Sequence, residues 1–171
     1  MHRLAVVSVL AVGLILGGTS TAGAVPLKKL NQQVTGSFDG TSTFTFNAGG
    51  CEFADQIFEG TYSTAEGVGS FSIEGCSLLV PQGTPVLAEF SGTFRLTTPD
   101  GSQITGTAAG SISTSAALDF TLTITGATGK HFRRAGGTIE LDGAWFSSAT
   151  AGVPGPIEGT LVGHLTKGTS P

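Results

Sequence analysis

Apolar and polar side chains alternate along most of this chain after about residue 33. Within Val86–Thr98, for example, Phe90 and Phe94 share one parity, whereas Glu89 and Arg95 share the other. Successive side chains of a strand point to opposite faces, so this alternation predicts a strand with one buried face. The stretches that show it are Val34–Phe46, Ile57–Thr64, Gly67–Glu74, Val86–Thr98, Gln103–Ser113, Leu118–Thr125, Thr138–Phe146 and Ile157–Thr166.

Turn-forming residues separate these stretches. A hairpin is predicted around Ala65–Gly67, and Pro99 and Asp100–Gly101 stand where turn geometry favours them. Loops rich in Gly and Pro are predicted at Ser77–Pro85 and Thr150–Pro156. The connections are short, so neighbouring strands are expected to be antiparallel.

Glycine decides between the two architectures that this pattern allows, a two-sheet sandwich and a closed barrel. Glycine within a strand often marks a sharp bend or a barrel corner, and alternating large and small inward residues suit a small barrel. We therefore predict an all-β fold, an antiparallel β-barrel of about eight strands. The glycines on the apolar parity are Gly36, Gly40, Gly60, Gly92, Gly106, Gly110, Gly143, Gly159 and Gly163.

The N-terminal segment has the features of a secretory signal peptide. His2 and Arg3 precede the apolar run Leu4–Leu16, and Ala22–Ala24 forms an A-x-A site. The run is shorter than the roughly 20 residues that a spanning helix needs, so no stable membrane anchor is expected after cleavage. We predict a signal peptide at residues 1–24, a single barrel domain at 25–171, and a secreted, extracellular protein.

The two cysteines, Cys51 and Cys76, both lie in the part predicted to be exported. An even pair in an oxidising compartment predicts a disulfide. The alternative is a metal site that adds His131 and His164, but the local C-x-x-C spacing of such sites is missing. The disulfide is therefore the favoured interpretation, and no metal is expected.

The charge of the chain limits its partners. It carries 8 basic and 12 acidic residues, a net charge of −4 at pH 7. A weakly acidic, sparsely charged surface argues against nucleic acid and against anionic membranes. The sequence has no phosphate loop, no Ser-His-Asp order and no H-E-x-x-H motif, so no cofactor is expected. The oligomeric state is not predicted.

The segment Thr123–Ile139 carries a sequence signature that is similar to that of a known family. This segment resembles the G-G-T-G-x-F-x-x-A-x-G signature of the allene oxide cyclase-like and dirigent-like β-barrel superfamily, which includes many secreted bacterial proteins. Ala127 replaces the second glycine, and His131 adds one residue. With a similar hairpin at Thr97–Thr107, the resemblance covers about Phe90–Leu165. The matching residues are Gly126, Thr128, Gly129, Phe132, Ala135 and Gly137.

The resemblance implies an apolar ligand inside the barrel. Cyclases and isomerases of this type use a few inward polar groups, and dirigent-like guidance of phenoxy radical coupling uses inward acidic residues. Parity instead places the strand carboxylates outward, so no catalytic residue is predicted. The inward polar candidates are Ser42, Tyr62, the Trp145 N–H, and Cys51 or Cys76 if reduced. The predicted lining of a ligand cavity is Tyr62, Phe90, Phe94, Phe120, Leu122 and Trp145.

The basic turn after Gly129 has two interpretations. Its side chains could bind an anion at the barrel rim, or they could form a solvated turn, which is the favoured interpretation. The predicted function is a secreted, non-enzymatic β-barrel that binds a small apolar ligand or acts as an extracellular interaction module, with the cyclase and dirigent activities as alternatives. The rim candidates are Lys130, His131, Arg133 and Arg134.

Overall fold

The computed structural model describes residues 32–81, 83, 85–129, 135–146 and 150–167. It contains eight strands and, within those ranges, no helix. The strands are β1 Gln32–Phe46, β2 Ala54–Thr64, β3 Gly67–Leu79, β4 Val86–Thr97, β5 Gln103–Ser113, β6 Ala117–Ala127, β7 Ala135–Trp145 and β8 Gly155–Lys167.

Each strand pairs antiparallel with its neighbour in the chain, and β1 also pairs with β8. The closing register places Gln32 opposite Leu165 and Ser42 opposite Gly155. The sheet therefore forms a closed barrel of eight antiparallel strands. This confirms the fold class predicted from the alternation.

Parity divides the two faces as the sequence predicted. The carboxylates of Glu89, Asp119, Glu140 and Asp142 are exposed, and so is Arg95. Most of the buried side chains are apolar. Because each strand contributes only one apolar parity, closing the sheet is what brings these faces together into one core.

Three phenylalanines fill the middle of the barrel, and we call them the aromatic cluster: Phe58, Phe90 and Phe120. Phe58 is 1% exposed and meets the other two rings edge-on, at centroid distances of 5.4 Å and 5.1 Å. Phe90 and Phe120 stack at 5.0 Å. Edge-to-face and offset-stacked rings at these distances are the favoured geometries. The cluster therefore divides the interior into two ends.

Glycines face one another across three strand pairs: Gly40–Gly60, Gly75–Gly92 and Gly143–Gly159. A Cβ placed on Gly60 would collide with the carbonyl oxygen of Asp39 and lie 2.7 Å from the Cα of Gly40. No residue with a side chain fits such an approach. Five of these six glycines were predicted on the apolar parity, and Gly75 was not.

Aromatic rings from other strands cover several of the inward glycines, among them Gly106 and the pair Gly143–Gly159. A Cβ on either Gly143 or Gly159 would lie 2.7 Å from Cζ of Phe38, and one on Gly106 would lie 2.6 Å from Cε1 of Phe94. The missing side chains therefore leave room for a large ring from another strand. This pairing of glycine with an aromatic ring fills the narrow interior.

One predicted loop begins later than expected. Ser77 was assigned to the loop Ser77–Pro85, but β3 continues to Leu79, and Ser77 pairs with Ala54 and with Phe90. Ser77 is buried, and its hydroxyl is hydrogen-bonded to Gln56. A polar inward residue can remain in the strand because this bond satisfies it.

Cys51 and Cys76 form a disulfide, as predicted. Cys76 lies on the outward parity of β3, and Cys51 lies in the connection between β1 and β2. The bond therefore ties this connection to the outside of the barrel wall. Its sequence separation of 25 residues corresponds to a stabilisation of roughly 3 kcal/mol in the chain-entropy description.

Candidate functional site

The two ends of the barrel differ in their openings. At one end lie the connections that follow β1, β3, β5 and β7, and at the other lie those that follow β2, β4 and β6. We call them the Trp145 mouth and the Tyr62 mouth, after the last residue of β7 and a residue near the end of β2.

At the Trp145 mouth the barrel opens into a cavity of about 190 Å³, which we call the Trp145 pocket. Phe44, Phe46 and Phe53 form an aromatic wall together with Trp145. Phe46 contacts the rings of both Phe44 and Phe53 at 5.1 Å, and Phe44 contacts Trp145 at 6.5 Å. An open, mostly apolar cavity with a few polar groups is the usual form of a small-molecule site.

A buried polar trio lies beside this pocket: Ser42, Gln56 and Ser77. Gln56 lines the pocket and is 2% exposed. Its Nε2 donates to Ser42 Oγ at 3.0 Å, and Ser77 Oγ donates to its Oε1. The side-chain amide therefore has a bond on each polar atom, which fixes its orientation. Because only 2% of Gln56 is exposed, the surface that the pocket offers to a ligand is almost wholly apolar.

Trp145 supplies a second polar group. Its Nε1–H is buried, and no acceptor for it exists within the described part of the chain. Its backbone N–H donates to Ala116 O at 2.7 Å, which holds the end of β7 against the β5–β6 connection. A buried donor without an acceptor is costly, and ligand sites are one place where such groups occur.

Exposed apolar side chains surround this mouth, and we call them the apolar rim: Phe46, Leu79, Leu87, Phe146 and Val153. Phe46 and Phe146 are 49% and 51% exposed. Gly152 N donates to Phe44 O, and Phe146 N donates to Pro156 O, which places the β7–β8 connection at this end of β1. Large exposed apolar patches mark interaction sites, and these side chains belong to the end of the barrel where the Trp145 pocket opens.

The Tyr62 mouth encloses a much smaller cavity, of about 50 Å³, which we call the Tyr62 cavity. Its lining is mostly aliphatic, with Tyr62 and Glu66 among the polar residues, and Oε2 of Glu66 is buried. Tyr62 Oη donates to Thr97 O at 3.3 Å. This volume has room for one or two water molecules. It does not have room for an apolar substrate.

Burial, together with a smaller effect from the nearby charge of Asp100, raises the pKa of Tyr62 from 10.0 to about 12. Because the folded pKa lies above the unfolded one, this contribution to stability is complete below pH 10 and is lost as the pH rises towards 12. We expect a loss of about 2–3 kcal/mol of unfolding free energy in this window.

The measurement is chemical denaturation between pH 9 and 12, with Tyr62→Phe as the control that leaves the titration of the lysines in place. Tyr62 is the single tyrosine of the chain, so tyrosinate absorbance reports its ionisation directly. If the variant and the parent lost stability equally over this range, the assignment would be wrong.

The positions predicted to line one ligand cavity do not come together. The aromatic cluster separates them, so that they belong to different parts of the interior. Their places are Tyr62 and Leu122 in the Tyr62 cavity, Trp145 in the Trp145 pocket, Phe90 and Phe120 in the aromatic cluster, and Phe94 against the backbone of Gly106.

The basic turn cannot be placed in either mouth. The residues predicted as an anion-binding rim all lie outside the described residues: Lys130, His131, Arg133 and Arg134.

Sequence reasoning missed Gln56 and Ser77. A signal was present, because Gln56 shares the parity of Phe58, and Ser77 that of Ile73. Both were overlooked because one predicted strand began at Ile57 and the other ended at Glu74, where the apolar pattern weakens. Extending each strand by parity alone would have placed both side chains inside the barrel.

Comparison with known proteins adds no further assignment. No model of a protein family matches the chain, and no curated protein or solved structure is significantly similar to it. Within the described ranges, no cluster of three His, Cys, Asp or Glu side chains could hold a metal ion. No helix among these residues is long and apolar enough to cross a membrane.

Proposed function

We propose that this chain is an exported, non-catalytic binding protein that holds a small, mainly apolar ligand in the Trp145 pocket. The observation that carries the proposal is the open cavity of about 190 Å³ at the Trp145 mouth, which is walled by aromatic rings. An apolar ligand would fill this cavity.

The volume indicates the size of the bound part. An apolar cavity of about 150 Å³ accepts benzene, so about 190 Å³ suits one ring with a small substituent. Any longer part of the ligand would lie on the apolar rim, where Leu79 and Leu87 are exposed.

Export is part of the same proposal. The disulfide between Cys51 and Cys76 is compatible with an oxidising compartment, which agrees with the signal peptide expected at residues 1–24. The signature-like segment at Thr123–Ile139 agrees with a secreted barrel of the allene oxide cyclase-like and dirigent-like type. We propose this membership together with the function.

Binding without catalysis fits the placement of the charges better than the cyclase or dirigent alternatives. Either alternative needs acid–base groups that face an enclosed substrate. The carboxylates of β6 and β7 instead lie on the outer surface. Glu66 and Tyr62 do line a common cavity, but its volume of about 50 Å³ is too small for a substrate.

The proposal is tested by titrating the protein with 2-phenylethanol and with ethylbenzene, which lacks the hydroxyl group. Trp145 is the single tryptophan, so its emission reports from the pocket itself. We expect both compounds to bind at millimolar concentration or below, and ethylbenzene at least as tightly as the alcohol, because the lining of the pocket is almost wholly apolar and a buried hydroxyl would find no partner there.

Leucine substitutions at two alanine positions, one inside the pocket and one outside the barrel, form a matched pair of variants. Ala88 is buried and lines the pocket, so Ala88→Leu fills the cavity and should abolish binding when measured by calorimetry. Ala109 is exposed on the outside of β5, so Ala109→Leu should leave binding unchanged. Binding that survives Ala88→Leu, or its absence in the parent protein, would overturn the proposal.

A further inference from the structure

The charges around the Trp145 mouth have one sign. The four connections that meet there span residues 47–53, 80–85, 114–116 and 146–154, and their only ionisable side chain is Glu52. A ligand at this mouth therefore meets an apolar rim and carboxylates, with no cation from these connections.

Three carboxylates flank the wall of the pocket. Glu52 directly precedes Phe53, Asp55 directly follows Ala54, and Glu89 directly follows Ala88, and all three of these neighbours line the pocket. Glu52 and Glu89 are exposed, and Asp55 is partly buried. Because strand side chains alternate, Asp55 and Glu89 lie just outside the wall whose inner surface holds the ligand. Glu52 lies beside them in the connection between β1 and β2.

The outer surface beside the pocket forms a second depression. Glu52 and Glu89 line a groove of about 290 Å³ together with Leu78, and Ser77 lines both this groove and the Trp145 pocket. Leu79, on the apolar rim, is the next residue along β3. A flexible ligand can thus run from the pocket over exposed apolar side chains to a pair of carboxylates.

We infer that the ligand is a cationic amphiphile, with an apolar ring or chain end in the Trp145 pocket and an amine or similar cation at Glu52 and Glu89. The inference rests on the proposed function and adds the charge of the ligand to it. The exposed apolar side chains between the pocket and the groove complement the apolar part of such a ligand, and the two carboxylates complement its positive charge. Fatty acids and other anionic amphiphiles meet repulsion at the same place.

The size of the charge preference follows from the exposure of the carboxylates. Exposed charge pairs contribute little individually, so the preference of cation over neutral analogue should be about fivefold at low ionic strength. It should decrease in high salt, because the carboxylates are open to screening. The apolar contribution to binding should not decrease.

The experiment compares three probes of one shape: 4-phenylbutylamine, 4-phenylbutan-1-ol and 4-phenylbutyrate. At pH 7 and low salt, we expect the amine to bind about fivefold more tightly than the alcohol, and the carboxylate more weakly than either. The differences should become small in 0.5 M sodium chloride. Calorimetry and Trp145 emission provide the readouts.

A double variant, Glu52→Gln with Glu89→Gln, should remove the preference for the amine while the alcohol binds as before. Glu140→Gln is the matched control, because Glu140 is also an exposed strand carboxylate but lies on β7, far along the chain from the groove. It should keep the full preference. Circular dichroism confirms that each variant is folded.

The outcomes separate the two proposals. If the alcohol binds and the amine has no advantage, or if the double variant keeps the advantage, the inference on charge is overturned and the proposed function stands. If none of the three probes binds the parent protein, both are overturned.

Discussion

Replacing Gly60 by alanine is expected to prevent formation of the native barrel or to destabilise it by at least about 3 kcal/mol. The added Cβ would meet the backbone of Asp39 and Gly40 on the paired strand, and backbone cannot rotate away as a side chain can. The strands would have to separate at this point, which breaks the hydrogen bonds on either side. Thermal unfolding followed by circular dichroism measures the loss.

Gly126→Ala is the appropriate comparison. The closest atom to a Cβ at Gly126 is the hydroxyl oxygen of Thr105, at 3.0 Å, and this side chain can turn aside. We expect a change in unfolding free energy within about 1 kcal/mol. Equal effects of the two substitutions would show that the close approach of Gly40 and Gly60 does not control the fold.

Truncation of Phe58 to alanine is expected to lower the unfolding free energy by about 3–5 kcal/mol. Phe58 is 1% exposed and contacts both other rings of the aromatic cluster. Its removal leaves a void at the centre of the barrel, and the closed sheet restricts how far the walls can collapse. At a few degrees per kcal/mol, the melting temperature should decrease by roughly 10 °C.

Phe46→Ala is the matched truncation, because Phe46 is 49% exposed on the apolar rim. It should cost roughly 1 kcal/mol or less in stability, while weakening ligand binding at the Trp145 pocket. If Phe58→Ala were no more destabilising than Phe46→Ala, the aromatic cluster could not be the centre of the core.

The alternation of the sequence was sufficient to predict the strands and their faces. Within Val86–Thr98 the apolar parity was enough to place Phe90 and Phe94 inside and Glu89 outside, and the structure agrees. Closure was inferred from glycines such as Gly60, because a bend needs close approach of backbones. Short connections gave the antiparallel order, since they leave no room for a crossover.

The site was harder to predict, for a physical reason. The alternation predicts that Tyr62, Phe120 and Trp145 point inward. It does not predict the position of each side chain along the barrel axis, or which side chains of non-neighbouring strands pack together. The stacking of Phe90 on Phe120 is such a packing, and it divides the interior into two cavities of unequal size.

The pairing of β1 with β8 has a consequence for how the protein behaves before it is complete. Every other pairing joins strands adjacent in the chain, so these hairpins can form locally as the polypeptide emerges. Until the last strand docks, both β1 and β7 present an unpaired edge to other chains. Chains truncated before Gly155 should therefore self-associate. In the folded barrel, β8 prevents this by pairing with both of these edges.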